Sequence, residues 1–561
     1  MFTRRYASVI VFLAILLALY YLPASRDTLG QRPWANKAIH EPTACYGPRG
    51  GLLSNNSDDQ VTPIDLDIPY PIAPFGSHDE LSLSRTWMTA DIKYGPYGYG
   101  DEREGYNRKK VNWEHVNWGR LQDACAARNQ ARFGAIANVS SRGRMVPPNP
   151  VAPRSAWSRT EKVTGRTAIV LRGYDTYNYA PEDLLNIRSL IVEAGLSTGG
   201  NYAVYLLVDI REKEHEIYMS EANYTAALEK FVPVELHSIA VLFDETLLEN
   251  WYPKTATHHP NFQIYQLLQL FAHYYPEYDH FWQLELDVRF SGHTAHYLDA
   301  LDAFARKQPR KQSLERSSYL YIPSIHGTYA NFTSLIDATL DGGGVWGPVE
   351  IPDVKPAGPK PSVSSQEDEF SWGVGEDADL IATNPCSNVT WTEDWVYRDW
   401  IHNFQNGVDT PRIFCAPAIT RSSRRLLAAV HDAQAEKGLT IPSEATVSSF
   451  ALWHGLKIVF PPQPMYQNPP RDLKEMDVFF NGGPPNASRG AMAKGDGFYN
   501  ARPHYDITNT ATWWWSSPFP GYIFRNWLDQ KENEELPFLL HKDAEGRVWA
   551  PNLALHPVKT N

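Results

Sequence analysis

Within HFWQLELDVRFSGH, residues 280–293, two acids interrupt a run of strand-forming residues: Glu285 and Asp287 alternate with Leu284, Leu286 and Val288. Side chains two apart on a strand share a face. The spacing therefore predicts two carboxylates side by side, repelling each other unless positive charge stands between them. A bound divalent cation meets that need, and so does a pair of basic neighbours; Arg289 projects from the same face. A hard ion held by carboxylates, with open positions for phosphate oxygens, would neutralise the diphosphate of an activated donor.

A second acidic stretch, SWGVGEDADLI at 371–381, sets Glu376, Asp377 and Asp379 behind Trp372 and two glycines. Glycine lets a backbone approach a ligand closely. Capping of a following helix accounts for one acid but not for three. A general base that takes a proton from an attacking hydroxyl would account for another. His454, in ALWHGLKIVF, offers an imidazole just before a strand, although its neighbour Trp453 equally suits a structural role. The DGGGVWG run at 341–347 has the spacing of a dinucleotide fingerprint but no helix pattern after it, and reads as a loop. Arg421, Arg424 and Arg425 read as a solvated helix face, and the three tryptophans at 513–515 as packing of the C-terminal region.

The elements that must position these groups alternate in type. Apolar, β-branched runs at 167–174, 202–210, 238–245 and 280–288 read as strands, with a further strand at 318–324. Helical spacing appears at 181–196, which opens on Pro181, at 261–275, and around 296–307. This alternation predicts an α/β fold with a mostly parallel sheet flanked by helices. Ligands of such sheets sit outside the carboxyl ends of the strands. Glu285 and Asp287 come late in their strand and Asp209 ends another.

A net charge of −12 leaves no basic footprint, which argues against nucleic acid as a partner. Residues 6–22 carry no charge and follow Arg4 and Arg5; at 1.5 Å per residue they reach about 25 Å, a short membrane span. The positive-inside bias then leaves residues 1–5 in the cytosol and the rest in the lumen or outside, a type II single-pass arrangement. A cleaved signal peptide, with a shorter apolar core, is the alternative. Sequons at Asn55, Asn138, Asn223, Asn331, Asn388 and Asn486 agree with a lumenal setting, as do four cysteines without C-x-x-C spacing. Cys386 with Cys415 is the expected local disulfide. Residues 23–84, rich in Pro, Gly, Ser and Asn, read as a stem, 85–160 as an N-terminal extension, 161–465 as the α/β domain, and 466–561 as a Trp- and Pro-rich C-terminal extension.

An acid-x-acid at a strand end, followed by a W-G-x-G-E-D-x-D segment, resembles GT-A-type glycosyltransferases. The later segment is similar to the galactosyltransferase W-G-x-G-x-E-D-x-D run, one residue shorter here, and the leading Glu of E-L-D resembles fungal Golgi mannosyltransferases. The runs WGRLQDACAARN, VLRGYDTY, FWQLELDVRFSGH, GVGEDADLI and WHGLKIVFPPQPMY resemble a fungal family of membrane-anchored proteins known only as a domain of unknown function. The first resemblance implies a GT-A-like (Rossmann-like) fold in a Golgi or endoplasmic-reticulum glycosyltransferase. Such an enzyme uses Mn²⁺ or Mg²⁺ to move a sugar from a nucleotide donor to a glycan or glycoprotein hydroxyl. It implies donor contacts from Arg172, Asp175, Glu285 and Asp287, and metal contacts from Glu285, Asp287 and His454. It gives the catalytic base to Glu376 or Asp377, and acceptor contacts to Trp372 and Asp379. A carbohydrate-binding scaffold on such a fold and a glycoside hydrolase with paired carboxylates are the alternative readings.

Overall fold

The strand that ends at Glu285 lies in the middle of a seven-stranded sheet in the computed structural model, which describes residues 41–54, 57–105, 107–133, 144–148, 164–340, 342–389, 395–415, 419–481, 509–514, 516–529 and 536–559. A short strand β1 (Trp87–Thr89) precedes the sheet in the chain. The sheet's members are β2 (Thr167–Tyr174), β3 (Tyr202–Asp209), β4 (Ala240–Phe243), β5 (His280–Glu285), β7 (Leu380–Ala382), β10 (Ile419–Ser423) and β11 (Ile458–Val459). Their spatial order is β11-β7-β10-β5-β2-β3-β4, and only β10 runs against its neighbours.

The apolar runs of β2 and β3 explain their central place. Ala168 to Leu171 and Tyr202 to Val208 are buried without alternation, the pattern of a strand covered on both faces. Helices Pro181–Leu190, Thr294–Lys307 and Trp118–Arg128, with the π-helical turn Ile191–Leu196, form one covering group. Helices Pro260–Tyr274, Arg424–Lys437 and Ser443–His454 pack together as another.

The extensions are part of this body. Strands β12 (His541–Lys542) and β13 (Val548–Pro551) complete a small sheet with β1, and β14 (Ala554–Leu555) pairs antiparallel with β6 (Arg289–Phe290). Within the expected stem at 23–84, the described residues from Pro42 on are held down by apolar burial: Leu53, Phe75, Leu81 and Leu83 lie in the core, and Phe75 bridges to Met465. A disulfide ties Cys45 to Cys125, and the expected Cys386–Cys415 bridge joins β8 (Cys386–Asn388) to β9 (Ile413–Cys415).

Three local expectations give way to the structure. The run 318–324 is buried as far as Ile322 but is not a strand, and Pro323 opens a short helix, Pro323–His326. Arg421, Arg424 and Arg425 do not form a solvated face. Arg424 is buried and closes the carbonyls of Ala272, Tyr275 and Tyr278; Arg421 pairs with Asp302, and Arg425 with Asp379. Strand β5 ends at Glu285, so Asp287 stands in the turn beyond it, which the Val288 N–H closes onto the Glu285 carbonyl. The expected anchor at 6–22 lies outside the described residues, among which no helix is long and apolar enough to cross a membrane.

Candidate metal centre

Parallel pairing of β5 with β2 sets Arg172 beside Glu285 at the carboxyl edge of the sheet. The Arg172 guanidinium donates to Glu285 Oε1 at 2.5 Å. Arg289, the basic neighbour in sequence, does not serve: it is fully buried, donates to the Leu286 and Val288 carbonyls, and pairs with Asp183. Besides Arg172, the charge facing the two acids comes from residues 556–559. His556 Nε2 lies 2.9 Å from Glu285 Oε2 and 3.4 Å from Asp287 Oδ1, and Lys559 Nζ donates to Asp287 Oδ2.

Backbone contacts fix His556 there. Pairing of β14 with β6 aligns Leu555 with Arg289, the His556 N–H donates to the Thr512 carbonyl, and its own carbonyl accepts from Trp514 N–H. Two residues on, the Val558 N–H donates to the Asp287 carbonyl. The imidazole is 1% exposed, whereas the Lys559 side chain is 67% exposed.

The electrostatics follow from this geometry. Burial alone would lower the His556 pKa, but hydrogen bonds and charge from Asp287 and Glu285 push it up to about 9. Burial likewise opposes ionisation of the two acids, yet both carboxyls are held below their ordinary values, Glu285 by His556 and Arg172, Asp287 by His556 and Lys559. Ligand atoms of Glu285, Asp287 and His556 lie within 4.8 Å of one another, and theirs is the one such cluster among the described residues. Two carboxylate oxygens and one imidazole nitrogen form a donor set that could hold a divalent cation.

The second acidic stretch lies at the opposite edge. Leu380 pairs with Ser422, and Ser422 with Phe281, so Asp379 stands level with the start of β5. About five strand residues, roughly 17 Å, separate that level from Glu285. Glu376, Asp377 and Asp379 are therefore not brought to the Glu285–Asp287 centre. They are held in a network of their own: Glu376 with Arg310, Asp377 with Arg306, and buried Asp379 with Arg425 and Ser423. Lys457 Nζ donates to the Gly373 and Glu376 carbonyls, which fixes the glycine-rich loop. Trp372 packs edge-on against Trp346, with Arg310 over its ring.

His454 is also absent from the cluster. It ends the helix Ser443–His454, its Nδ1 accepts from the Ala357 N–H, and its ring stacks on Phe450. The third member of the cluster is His556, which sequence reasoning missed. Nearer the centre, Asp175 accepts from the Arg211 and Glu212 N–H groups, and its buried Oδ1 has no partner. Tyr174 aligns with Asp209 on β3, and burial pushes the Asp209 carboxyl up to about 6 against the opposing charge of Arg211.

Fold and centre together define an α/β protein with an acid–histidine cluster at the carboxyl edge of a mostly parallel sheet. The chain belongs to the family described as "Protein of unknown function (DUF3405)", whose model matches residues 89–560 and so spans Arg172, Glu285, Asp287, His556 and Lys559. No curated protein matches the chain.

Proposed function

We propose that this protein is a GT-A-like, metal-dependent glycosyltransferase. It would act from a lumenal, membrane-anchored position in the Golgi or endoplasmic reticulum on a glycan or glycoprotein acceptor. The observation that carries the reading is the Glu285–Asp287–His556 cluster at the edge where α/β sheets bind ligands. Glu285, Asp287 and His556 would hold Mn²⁺ or Mg²⁺, an ion that stabilises charge developing on a leaving diphosphate.

The chain's own groups supply the rest. Arg172 offers a planar fork to phosphate oxygens, and Asp175, with an unpartnered buried oxygen, can accept from a donor hydroxyl. The bond from the sugar's anomeric carbon to phosphate breaks, the diphosphate keeps the electron pair, and the acceptor oxygen bonds to that carbon. In an inverting reaction the acceptor's proton passes to a carboxylate on this edge. Asp209, which ends β3 on this edge and faces Arg211, is one such carboxylate.

The alternative of paired hydrolytic carboxylates is less consistent with the geometry. Both acids are already neutralised by cations, Glu285 by Arg172 and His556 and Asp287 by His556 and Lys559, which leaves neither as a free acid or nucleophile. The test is release of nucleoside diphosphate from a panel of UDP- and GDP-sugars with and without Mn²⁺. Metal-dependent release from one donor supports the reading. Glycan hydrolysis that needs neither metal nor nucleotide contradicts it.

A further inference from the structure

We propose that Asn331 carries an N-linked glycan and that Asn223, in a sequon of the same type, does not. The inference rests on the lumenal placement of the chain. Asn223-Tyr-Thr, Asn331-Phe-Thr and Asn388-Val-Thr are the sequons whose asparagine lies among the described residues. A glycan is bulky and hydrated, so it suits an asparagine whose Nδ2 faces solvent and has no other bond to keep.

The folded structure separates the three. Asn331 is exposed, whereas Asn223 and Asn388 are half-buried. The Asn223 amide is fully engaged at the start of helix Glu221–Phe231. Its Oδ1 accepts from the Ser220 hydroxyl at 2.7 Å, and its Nδ2 donates to the His215 and Glu216 carbonyls at 3.4 and 3.3 Å. A sugar on Nδ2 would take one of the two hydrogens that these carbonyls share. Asn331 lies in the first turn of helix Tyr329–Thr339. The Thr328 cap takes its main-chain N–H, and its side-chain amide makes no hydrogen bond to a described residue. Gly327 keeps the space beside Nδ2 clear. Its φ of +70° is one that side chains rarely adopt, and a Cβ there would come within 3.2 Å of Nδ2. Leu335, 37% exposed, follows one turn later on the same helix face, where the first sugars would cover it.

The donor for such a step is a lipid-linked oligosaccharide diphosphate. Nδ2 bonds to the anomeric carbon and gives up one proton. The bond from that carbon to the diphosphate oxygen breaks, and the diphosphate leaves with the electron pair.

Expression of the full-length chain, with its own N-terminus, in a eukaryotic secretory host provides the material for the test. Enzymatic deglycosylation in heavy-oxygen water then converts each asparagine that carried a glycan into labelled aspartate, which peptide mass spectrometry reads. The Asn331 peptide is expected to be mostly converted and the Asn223 peptide unconverted. Asn331→Gln and Thr333→Ala should each remove one glycan-sized step from the mobility of the protein on a gel. A bare Asn331 with glycans at other sequons, or an occupied Asn223, overturns the assignment and leaves the lumenal reading standing. Absence of glycan from every sequon overturns the lumenal reading and the assignment with it.

Discussion

His556 Nε2 and Glu285 Oε2 lie 2.9 Å apart, although 271 residues separate them in the chain. The contact joins the end of β5 to the extreme C-terminal segment, and it makes that segment part of the candidate site. Replacing His556 by Ala should leave the fold in place, because the backbone contacts that hold residue 556 do not involve its side chain. Mn²⁺ affinity should fall by at least about tenfold. Circular dichroism and Mn²⁺ titration together check both halves of this expectation.

The opposite edge of the sheet should behave differently. A Glu376→Gln/Asp377→Asn variant removes two carboxylates from the Arg306–Arg310 network, about a strand's length from Glu285. Its Mn²⁺ and nucleotide binding are expected to match the unaltered protein, with only thermal stability lowered. Loss of Mn²⁺ binding in a folded variant would mean that the two acidic stretches act as one site.

Arg289 and Asp183 form an ion pair with no exposure on either side chain. Removing one partner leaves the other charge buried and uncompensated, at a cost of about 3–5 kcal/mol. Asp183→Ala should therefore lower the urea midpoint strongly. Because Arg289 lies in β6, which pairs with β14, limited proteolysis should also cut the C-terminal segment sooner.

His454 sets an acid-side limit. Burial pushes its imidazole down to about 4, so the folded protein keeps it neutral while the unfolded chain takes up a proton below about 6.5. Across that window the unfolded state binds more protons, so stability falls as the pH drops from about 6.5 towards 4. Urea midpoints at pH 7.5 and pH 5 should show this difference, and His454→Gln should reduce it.

These particulars mark what could be read along the chain. β2 and β3 were legible to within a residue, because strands covered on both faces carry unbroken apolar runs between turn residues. Glu285 and Asp287 stood out because acids in such a run need a counter-charge. The source of that charge was not legible. β14 is two residues long, gains its place by pairing with β6, and brings His556 to the centre through contacts that no local pattern encodes. The segment 371–381 misled for a related reason. Its glycines and acids suggest a ligand, but register with β10 and β5 carries it to the other edge, where Lys457 and three arginines occupy it. Arg424 read as solvated because cations usually are; its guanidinium instead closes three main-chain carbonyls.

The most direct measurement is a thermal-shift series on the full-length protein with UDP and GDP, each with and without Mn²⁺, repeated on Glu285→Gln/Asp287→Asn. A shift specific to one nucleotide that requires Mn²⁺ and disappears in the double variant is the predicted result. A folded protein that no nucleotide stabilises under any metal condition, or a shift that survives loss of both acids, would contradict a metal-dependent donor site at Glu285, Asp287 and His556.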